Sequence, residues 1–297
     1  RHYRIGVLDT SARQINPNFA VLQRGLGERG YVEGRNTVFE YRSADGRNES
    51  FAALAAELVR LDVDVIVTRG TPAALAARAA TTTIPVVMAA AGDPLAIARG
   101  GARPAGNLTG FGAYVAGIEG KRVEILRDML AKVERVAALM NLSNPSRRAE
   151  WSQIEASART LGIEAQVLDT RTAADIERSF DAASRGHVDA LVVGSDTAVQ
   201  TNQALVVRLA AAHRLPAIYT FRDFVDAGGL VSYGVSLPDL YRRAAVYVDR
   251  ILQGEKPEQL PIEPPTGLEL VINLNAAMAL GITVPGALLA GADEVIR

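Results

Sequence analysis

The chain has 297 residues, enough for two domains of ordinary size. Apolar residues make up 48% and charged residues 22%, the balance of a globular protein, and a net charge of −1 argues against any broad attraction to nucleic acid or anionic membrane. Cysteine is absent, which excludes disulfides, thiol catalysis and cysteine metal sites, and no apolar run approaches the ~20 residues of a membrane span.

In chain order, Tyr3–Leu8 reads as a first strand, followed by a loop over Asp9–Asn18 and a helix from about Phe19 to Glu28 that Gly30 stops. Thr37–Tyr41 is a second strand, and Ser50–Leu61 an amphipathic helix with Leu54, Leu58 and Leu61 on one stripe. Val63–Val67 is a β-branched apolar run, the pattern of a strand buried on both faces. Gly70 permits a sharp turn, Thr71 is placed to cap the next helix, and Pro72 suits its first position. Ile84–Ala90 is a parallel strand ending in Gly92-Asp93-Pro94, with Asp93 read as a turn former; a short helix and a turn at Arg103-Pro104-Ala105-Gly106 follow, then a strand over Asn107–Phe111. Strands alternating with helices, with no hairpin signals, predict a doubly wound parallel α/β sheet.

The second half repeats this order. Glu119–Leu130 is a helix, Arg135–Met140 a strand, Ala149–Leu161 a helix closed by Gly162, Glu164–Leu168 a strand and Ala173–Ser184 a helix. Val188-Asp189-Ala190-Leu191-Val192-Val193-Gly194-Ser195-Asp196 then aligns without a gap on Val63-Asp64-Val65-Ile66-Val67-Thr68-Arg69-Gly70-Thr71. Leu215–Ile218 echoes Ile84–Val87, and Gly229–Gly234 echoes Asn107–Gly112. Leu237–Gln253 is a further helix, Pro257–Pro265 a proline-rich connection, Glu269–Leu274 a last strand, and Pro285 onward a surface tail. The expected architecture is two Rossmann-like lobes, residues 1–113 plus about 236–258 and residues 114–235 plus about 259–297, with strand carboxyl ends facing a common cleft. Glycines in Gly112–Gly117 and the Tyr233–Leu237 segment would carry a hinge.

The repeat makes Thr71 and Asp196 equivalent: one a hydroxyl beside free helix amides, the other a carboxylate. If both face the cleft, a zwitterion fits, with its carboxylate at Gly70-Thr71 and its ammonium at Asp196; the plain alternative is that both are helix caps. Asn141, at the end of its strand, carries donor and acceptor together and either orients a polar ligand or makes a turn before Pro145; Asn144 is read as a turn residue. Tyr219 and Phe221 end the strand Leu215–Thr220, and one is expected to line the cleft and the other the core, while Tyr233 and Phe111 are either hinge packing or pocket wall. Arg69 adds positive charge near the cleft mouth.

Gly25-Leu26-Gly27-Glu28-Arg29-Gly30 spells a dinucleotide fingerprint but lies at a helix end before a strand, the reverse of the required context. No P-loop or G-x-S-x-G occurs, and the three histidines, His2, His187 and His213, lack metal-ligand spacing. With no nucleophile–base set, no metal site and no cofactor motif, a binding role is expected rather than an enzyme.

Gly30–Asn36, Val63–Pro94, Arg103–Gly110, Ser232-Tyr233-Gly234 and the ending Glu269–Leu274 to Ala292–Ile296 together resemble the ABC-transporter substrate-binding proteins of the family that includes tryptophan- and tyrosine-binding members. The resemblance implies a type I periplasmic-binding fold, two lobes joined by three crossings and closing on one small solute, most simply an aromatic or branched amino acid. An aromatic carboxylate or other small organic acid, or a ligand-sensing regulatory domain, is the alternative. It implies ABC permease subunits as partners, no nucleic acid, no membrane insertion, a monomer, and a periplasmic location with the leader removed before this numbering. Carried over by position, its ligand contacts fall near Thr71, Asn141 and Asp196 and at the ends of the first, fourth and ninth strands; together with the reading of the residues above, the expected ligand-binding set is Ser11, Gly70, Thr71, Ala90, Ala91, Asn141, Ser195, Asp196, Tyr219, Phe221 and Tyr233.

Overall fold

The computed structural model describes residues 1–98 and 106–297, which form two compact units. The first comprises Arg1–Tyr114 and Leu237–Pro265, the second Val115–Ser236 and Thr266–Arg297. The expected turn at 103–106 lies outside the described residues except for Gly106.

In the first unit, β1 (Tyr3–Asp9), α1 (Pro17–Gly27), β2 (Thr37–Ser43), α2 (Phe51–Arg60), β3 (Val65–Arg69), α3 (Thr71–Ala80), β4 (Val86–Ala91), α4 (Pro94–Ala98) and β5 (Leu108–Gly112) alternate along the chain. In the second, α5 (Ile118–Met129) leads into β6 (Arg135–Met140), α6 (Pro145–Thr160), β7 (Glu164–Asp169), α7 (Ala173–Arg185) and β8 (Ala190–Val193). The short α8 (Thr197–Thr201), α9 (Gln203–Ala212), β9 (Ala217–Tyr219), α10 (Asp223–Asp226) and β10 (Val231–Gly234) follow. The chain then returns to the first unit as α11 (Leu237–Leu252) and β11 (Ile262–Glu263), and ends in the second as β12 (Glu269–Asn273), α12 (Leu274–Leu280), α13 (Gly286–Gly291) and β13 (Glu294–Ile296).

The first sheet has order β11-β5-β4-β3-β1-β2 and is parallel throughout; the second, β13-β12-β10-β9-β8-β6-β7, is parallel except that β12 runs antiparallel to β10. In each sheet the order turns back at its first strand: β1 lies between β2 and β3, and β6 between β7 and β8. The repeat read from the sequence is kept in the hydrogen-bond register, where Ile5 pairs with Val65 and Val136 with Ala190.

Central strands carry apolar side chains on both faces because helices cover both. In the first unit Ile66, Met88 and Leu8 pack against Phe51, Ala55 and Leu58 of α2 and Ala73, Ala74 and Ala77 of α3. The stripe read on α2 is therefore rotated: Leu58 is central, and Leu54 and Leu61 flank it half-buried. In the second unit Val136, Ala138 and Val192 face Val123 and Leu126 of α5 and Ile154 of α6, while Leu139, Leu191 and Val193 face Ile176 and Phe180 of α7.

The fingerprint glycines Gly25 and Gly27 end α1, and Gly30 follows it at φ +92°. A Cβ on Gly25 would stand 2.9 Å from the Ala245 Cβ, so this glycine lets α11 lie close on α1.

One boundary departs from expectation. Residues 259–265 belong to the first unit, because Ile262 and Glu263 add a parallel edge strand to β5 and the Thr109 hydroxyl donates to the Leu260 carbonyl at 2.9 Å. The C-terminal tail packs on the second unit's surface: β13 pairs in parallel with β12, and Arg222 reaches Glu294 at 2.9 Å.

Candidate functional site

In open α/β sheets, ligands bind beyond the carboxyl ends of the strands. In the first unit those ends are Asp9-Thr10-Ser11 after β1, Arg69-Gly70-Thr71 at β3 and Ala90-Ala91-Gly92 at β4. Asp9 is buried and saturated. Its Oδ1 accepts from the Thr10 amide at 2.7 Å, and its Oδ2 accepts from Asn16 Nδ2 and the Tyr241 hydroxyl, each at 2.9 Å. Arg69, expected near an opening, is 5% exposed and sits with Nη1 3.9 Å from Asp9 Oδ1. Burial first, then the Asp9 charge, pushes the Tyr41 and Tyr241 hydroxyls above the ordinary tyrosine range. Asn16 also caps α1, its Oδ1 accepting from Asn18 and Phe19 amides, and Tyr41 donates to the Ser11 carbonyl at 2.8 Å. This network fixes the loop carrying Ser11, and its negative charge is already spent.

Gly70, at φ +86°, is the N-cap of α3, so Thr71 is the first helical residue and not the cap expected for it. The first helical bond runs from the Ala74 amide to the Gly70 carbonyl at 3.1 Å, with the Ala73 amide ahead of it; Pro72 has none to offer. The Thr71 hydroxyl accepts from the Gly92 amide at 3.1 Å and so ties the ends of β3 and β4 together. Thr71→Val strands that amide, and a loss of about 1–3 kcal/mol of stability is expected; an unchanged melting curve would show that the bond carries no weight. Ala90 and Ala91 serve through their carbonyls, which accept from Gly70 and Ala113 amides at 2.7 Å, and the Ala91 side chain is in the core.

In the second unit, Asn141 follows β6 and spends its Oδ1 on the Ser143 amide (3.0 Å) and hydroxyl (2.5 Å). The turn reading is therefore correct for its oxygen, and its amide nitrogen is what it can offer a solute. Asn144 caps α6 through the Ser146 amide at 3.1 Å, so that helix begins at Pro145 rather than Ala149. The Ser195 hydroxyl accepts from Gln200 Nε2 at 2.8 Å.

Asp196 caps α8 with Oδ1 alone, accepting from Ala198 and Val199 amides at 3.0 and 3.3 Å. It is 6% exposed, and among the described residues its Oδ2 has no hydrogen-bond partner. Burial pushes its carboxyl up to about 6; the capping amides, the Arg147 charge and the nearby Asn141 amide, outside hydrogen-bond geometry, pull back toward the charged form. Aligned by strand register, Thr71 and Asp196 correspond, yet the helix starts one residue later in the second unit. Asp196 is a cap and Thr71 is not.

Not every expected residue reaches a strand end. Tyr219 points into the core, stacked on Phe224 at 4.9 Å, because residues of alternate parity face α9. Phe221, two residues later, lies past the end of β9 and is also buried. Tyr233 is half-buried against the α5–α6 side of the core, and Phe111 packs on Tyr247 of α11 at 4.6 Å. Reading by strand ends missed Arg147 and Glu150 on α6 and Glu119 and Arg122 on α5, all buried; the Asn144-Pro145 cap signal would have placed the first two inside a helix. No group of His, Asp or Glu among the described residues is arranged to hold a metal, and no helix among them is long and apolar enough to cross a membrane.

Comparison with known proteins follows the same lines. The family described as ABC transporter substrate binding protein matches residues 16–296. The chain belongs to that family. A curated tyrosine-binding protein of Clostridioides difficile is 23% identical over 259 residues, 86% of this chain and 74% of the relative. A conserved domain protein from Vibrio cholerae superposes with a TM-score of 0.90 at 27% identity, covering 99% of this chain and all (100%) of that one. A Streptococcus pneumonia domain solved in complex with L-Trp gives 0.87 at 26% identity, covering 98% and 100%. This substrate-binding protein of an ABC transporter thus serves in transport, not catalysis, and its two α/β units are those of the type I periplasmic-binding fold. Substrate-binding proteins of ABC transporters are typically extracytoplasmic.

Proposed function

We propose that this substrate-binding protein captures an α-amino acid with an aromatic or branched side chain outside the cytoplasmic membrane, in the periplasm, and delivers it to ABC permease subunits. The observation carrying the reading is Asp196 Oδ2, a buried carboxylate oxygen that lacks a donor. An unsatisfied acceptor costs free energy unless a ligand satisfies it, and an ammonium group does so with full charge. The solute's carboxylate is met at the start of α3, where the helix carries partial positive charge and the Ala73 amide precedes the first helical bond. The relatives named for tyrosine and L-Trp favour an aromatic side chain. Hinge closure on the solute is the mechanism typical of this fold, and the chain passes from one unit to the other at 114–115, 236–237 and 265–266.

Calorimetry against the common amino acids and their deaminated analogues tests this. Binding of L-tryptophan or L-tyrosine with the deaminated acid at least tenfold weaker is the expected result. Equal binding of 3-phenylpropionate and L-phenylalanine would return Asp196 to capping alone and point to an aromatic carboxylate.

A further inference from the structure

The second unit holds a cavity of about 140 Å³ at the end of its sheet away from the strand carboxyl ends. Ala217 opens β9 and Leu230 stands just before β10, so the amino ends of two parallel strands form part of its wall. Asn141, Ser195 and Asp196 follow the carboxyl ends of theirs. Because β12 runs antiparallel to β10, it delivers α12 to this same end. There α12 contributes Ala276 and Leu280 to the lining, and α9 contributes Val207 and Ala210. Arg214, in the turn after α9, donates to the Ala279 carbonyl at 3.3 Å and ties the two helices together. Ala211, Gly228 and Ala279, also in the lining, are exposed and give the cavity a mouth.

Apart from two glycines, every lining residue is aliphatic except one, Tyr219. Tyr219 is 1% exposed, and one face of its ring stacks on Phe224. A Cβ built on Gly229 would stand 2.6 Å from Tyr219 Cε2 and 3.1 Å from Cδ2. The hydroxyl-bearing end of the ring therefore lies against Gly229, which is itself part of the cavity wall. The hydroxyl makes no hydrogen bond among the described residues, and burial alone pushes it above the ordinary tyrosine range. A buried tyrosine hydroxyl normally finds a partner, because leaving it without one costs free energy.

Size and chemistry narrow what that partner is. Pockets for drug-sized ligands run to roughly 300–1,000 Å³, and no charged side chain lines this one to meet a zwitterion. An apolar cavity of about 150 Å³ takes up benzene. A lone water would meet a single polar side chain here, short of the roughly two to four partners that hold a buried water.

We propose that this cavity is an accessory binding site for a neutral one-ring aromatic molecule of phenol size, whose polar group shares a hydrogen bond with the Tyr219 hydroxyl. The site is built within the second unit alone and is independent of Asp196 and of the solute carried.

Methyl NMR of the full chain, read at Ala210, Leu230, Ala276 and Leu280 while phenol or benzene is added, tests this. Saturable shifts are expected with both, phenol binding about threefold more tightly or better. Tyr219→Phe keeps the ring and removes the hydroxyl. It should erase the advantage of phenol, bind benzene no worse, and melt no lower than wild type, since no protein hydrogen bond is lost. Ala276→Leu fills the cavity and should abolish saturable binding of both compounds; if it does not fold, Ala211→Leu obstructs the mouth with the same expected result. Shifts that never saturate, equal affinity of wild type for phenol and benzene, or phenol affinity unchanged in Tyr219→Phe overturns the proposal. So does phenol binding that survives the filling variant, or a Tyr219→Phe chain that melts several degrees lower, which would give the hydroxyl a partner within the protein.

Discussion

Asp196→Asn is expected to remove amino-acid binding while leaving the unit folded. Asparagine keeps an oxygen for the Ala198 and Val199 amides, so the cap on α8 survives. What disappears is the charge opposite the ammonium. Truncating one partner of a buried charged pair costs about 2–5 kcal/mol, or roughly 30-fold to several-thousand-fold in affinity. The pH dependence carries the same information with a definite sign. Burial places the Asp196 carboxyl at about 6 in the folded chain. Wild-type affinity for L-tryptophan should therefore be full well above pH 6 and fall as the pH drops through that value, because the protonated acid no longer attracts a cation. The variant should show weak binding that is flat over the same range. An Asp196→Asn protein that binds within threefold of wild type, or a wild-type affinity constant from pH 5 to 8, would leave Asp196 as a cap. Asp196→Ala binds no better but also loses the cap, so a melting curve separates the two effects. Among the described residues one oxygen of Asp196 holds the helix and the other, Oδ2, has no hydrogen-bond partner.

The architecture was legible because it is written twice. Val63–Thr71 and Val188–Asp196 match without a gap, and the same pairs meet in the register of β3 on β1 and β8 on β6. Long β-branched runs buried on both faces carry their own signal. Two- and three-residue strands do not: Ile262–Glu263 and Glu294–Ile296 have no period to read, and their pairing partners lie far along the chain. The site was legible in position more than in role. Tyr219 and Phe221 are two residues apart, so alternation could not send one to the cleft and one to the core; both are buried, Tyr219 stacked on Phe224 and Phe221 past the end of β9. Thr71 was identified as important, but its bond is to Gly92, a partner 21 residues away that helix rules cannot supply. Arg147 was invisible for a local reason. With α6 read from Ala149, Arg147 fell outside the expected helix, whereas Asn144-Pro145 starts the helix and buries Arg147 in its first turn.

Gly110→Ala is expected to be the most damaging small substitution in the first unit. Gly110 lies inside β5, directly opposite Met88 of β4, and its φ is +133°, a backbone region that side chains with a Cβ rarely enter. A Cβ built there would stand 2.2 Å from the Met88 carbonyl oxygen and 2.5 Å from its nitrogen. Both obstacles are backbone in the middle of a sheet, with β11 on the other side of β5, so neither can swing away. Overpacking and a strained backbone each cost about 1–3 kcal/mol, so a loss of about 3 kcal/mol or more is expected against a total stability of about 5–15. The close approach also has a purpose. β4 slips register on both neighbours beyond Met88, so that Arg69 faces Ala90 and Gly112 faces Ala91. That slip brings the Gly92 amide to the Thr71 hydroxyl and the Ala90 carbonyl to the Gly70 amide. A bulkier residue at 110 presses on the strand just before the bulge and should disturb the start of α3 before the rest of the unit. Chemical denaturation checks the size of the effect. Gly267→Ala, where an added Cβ meets nothing within 4 Å, is the matched control. Hydrogen exchange at Thr71, Ala73 and Gly92 checks the order of events: these amides should open first in Gly110→Ala. A variant within about 1 kcal/mol of wild type, or one that loosens α2 before α3, would show that the close contact at Gly110 relaxes freely and does not hold the binding end of β4.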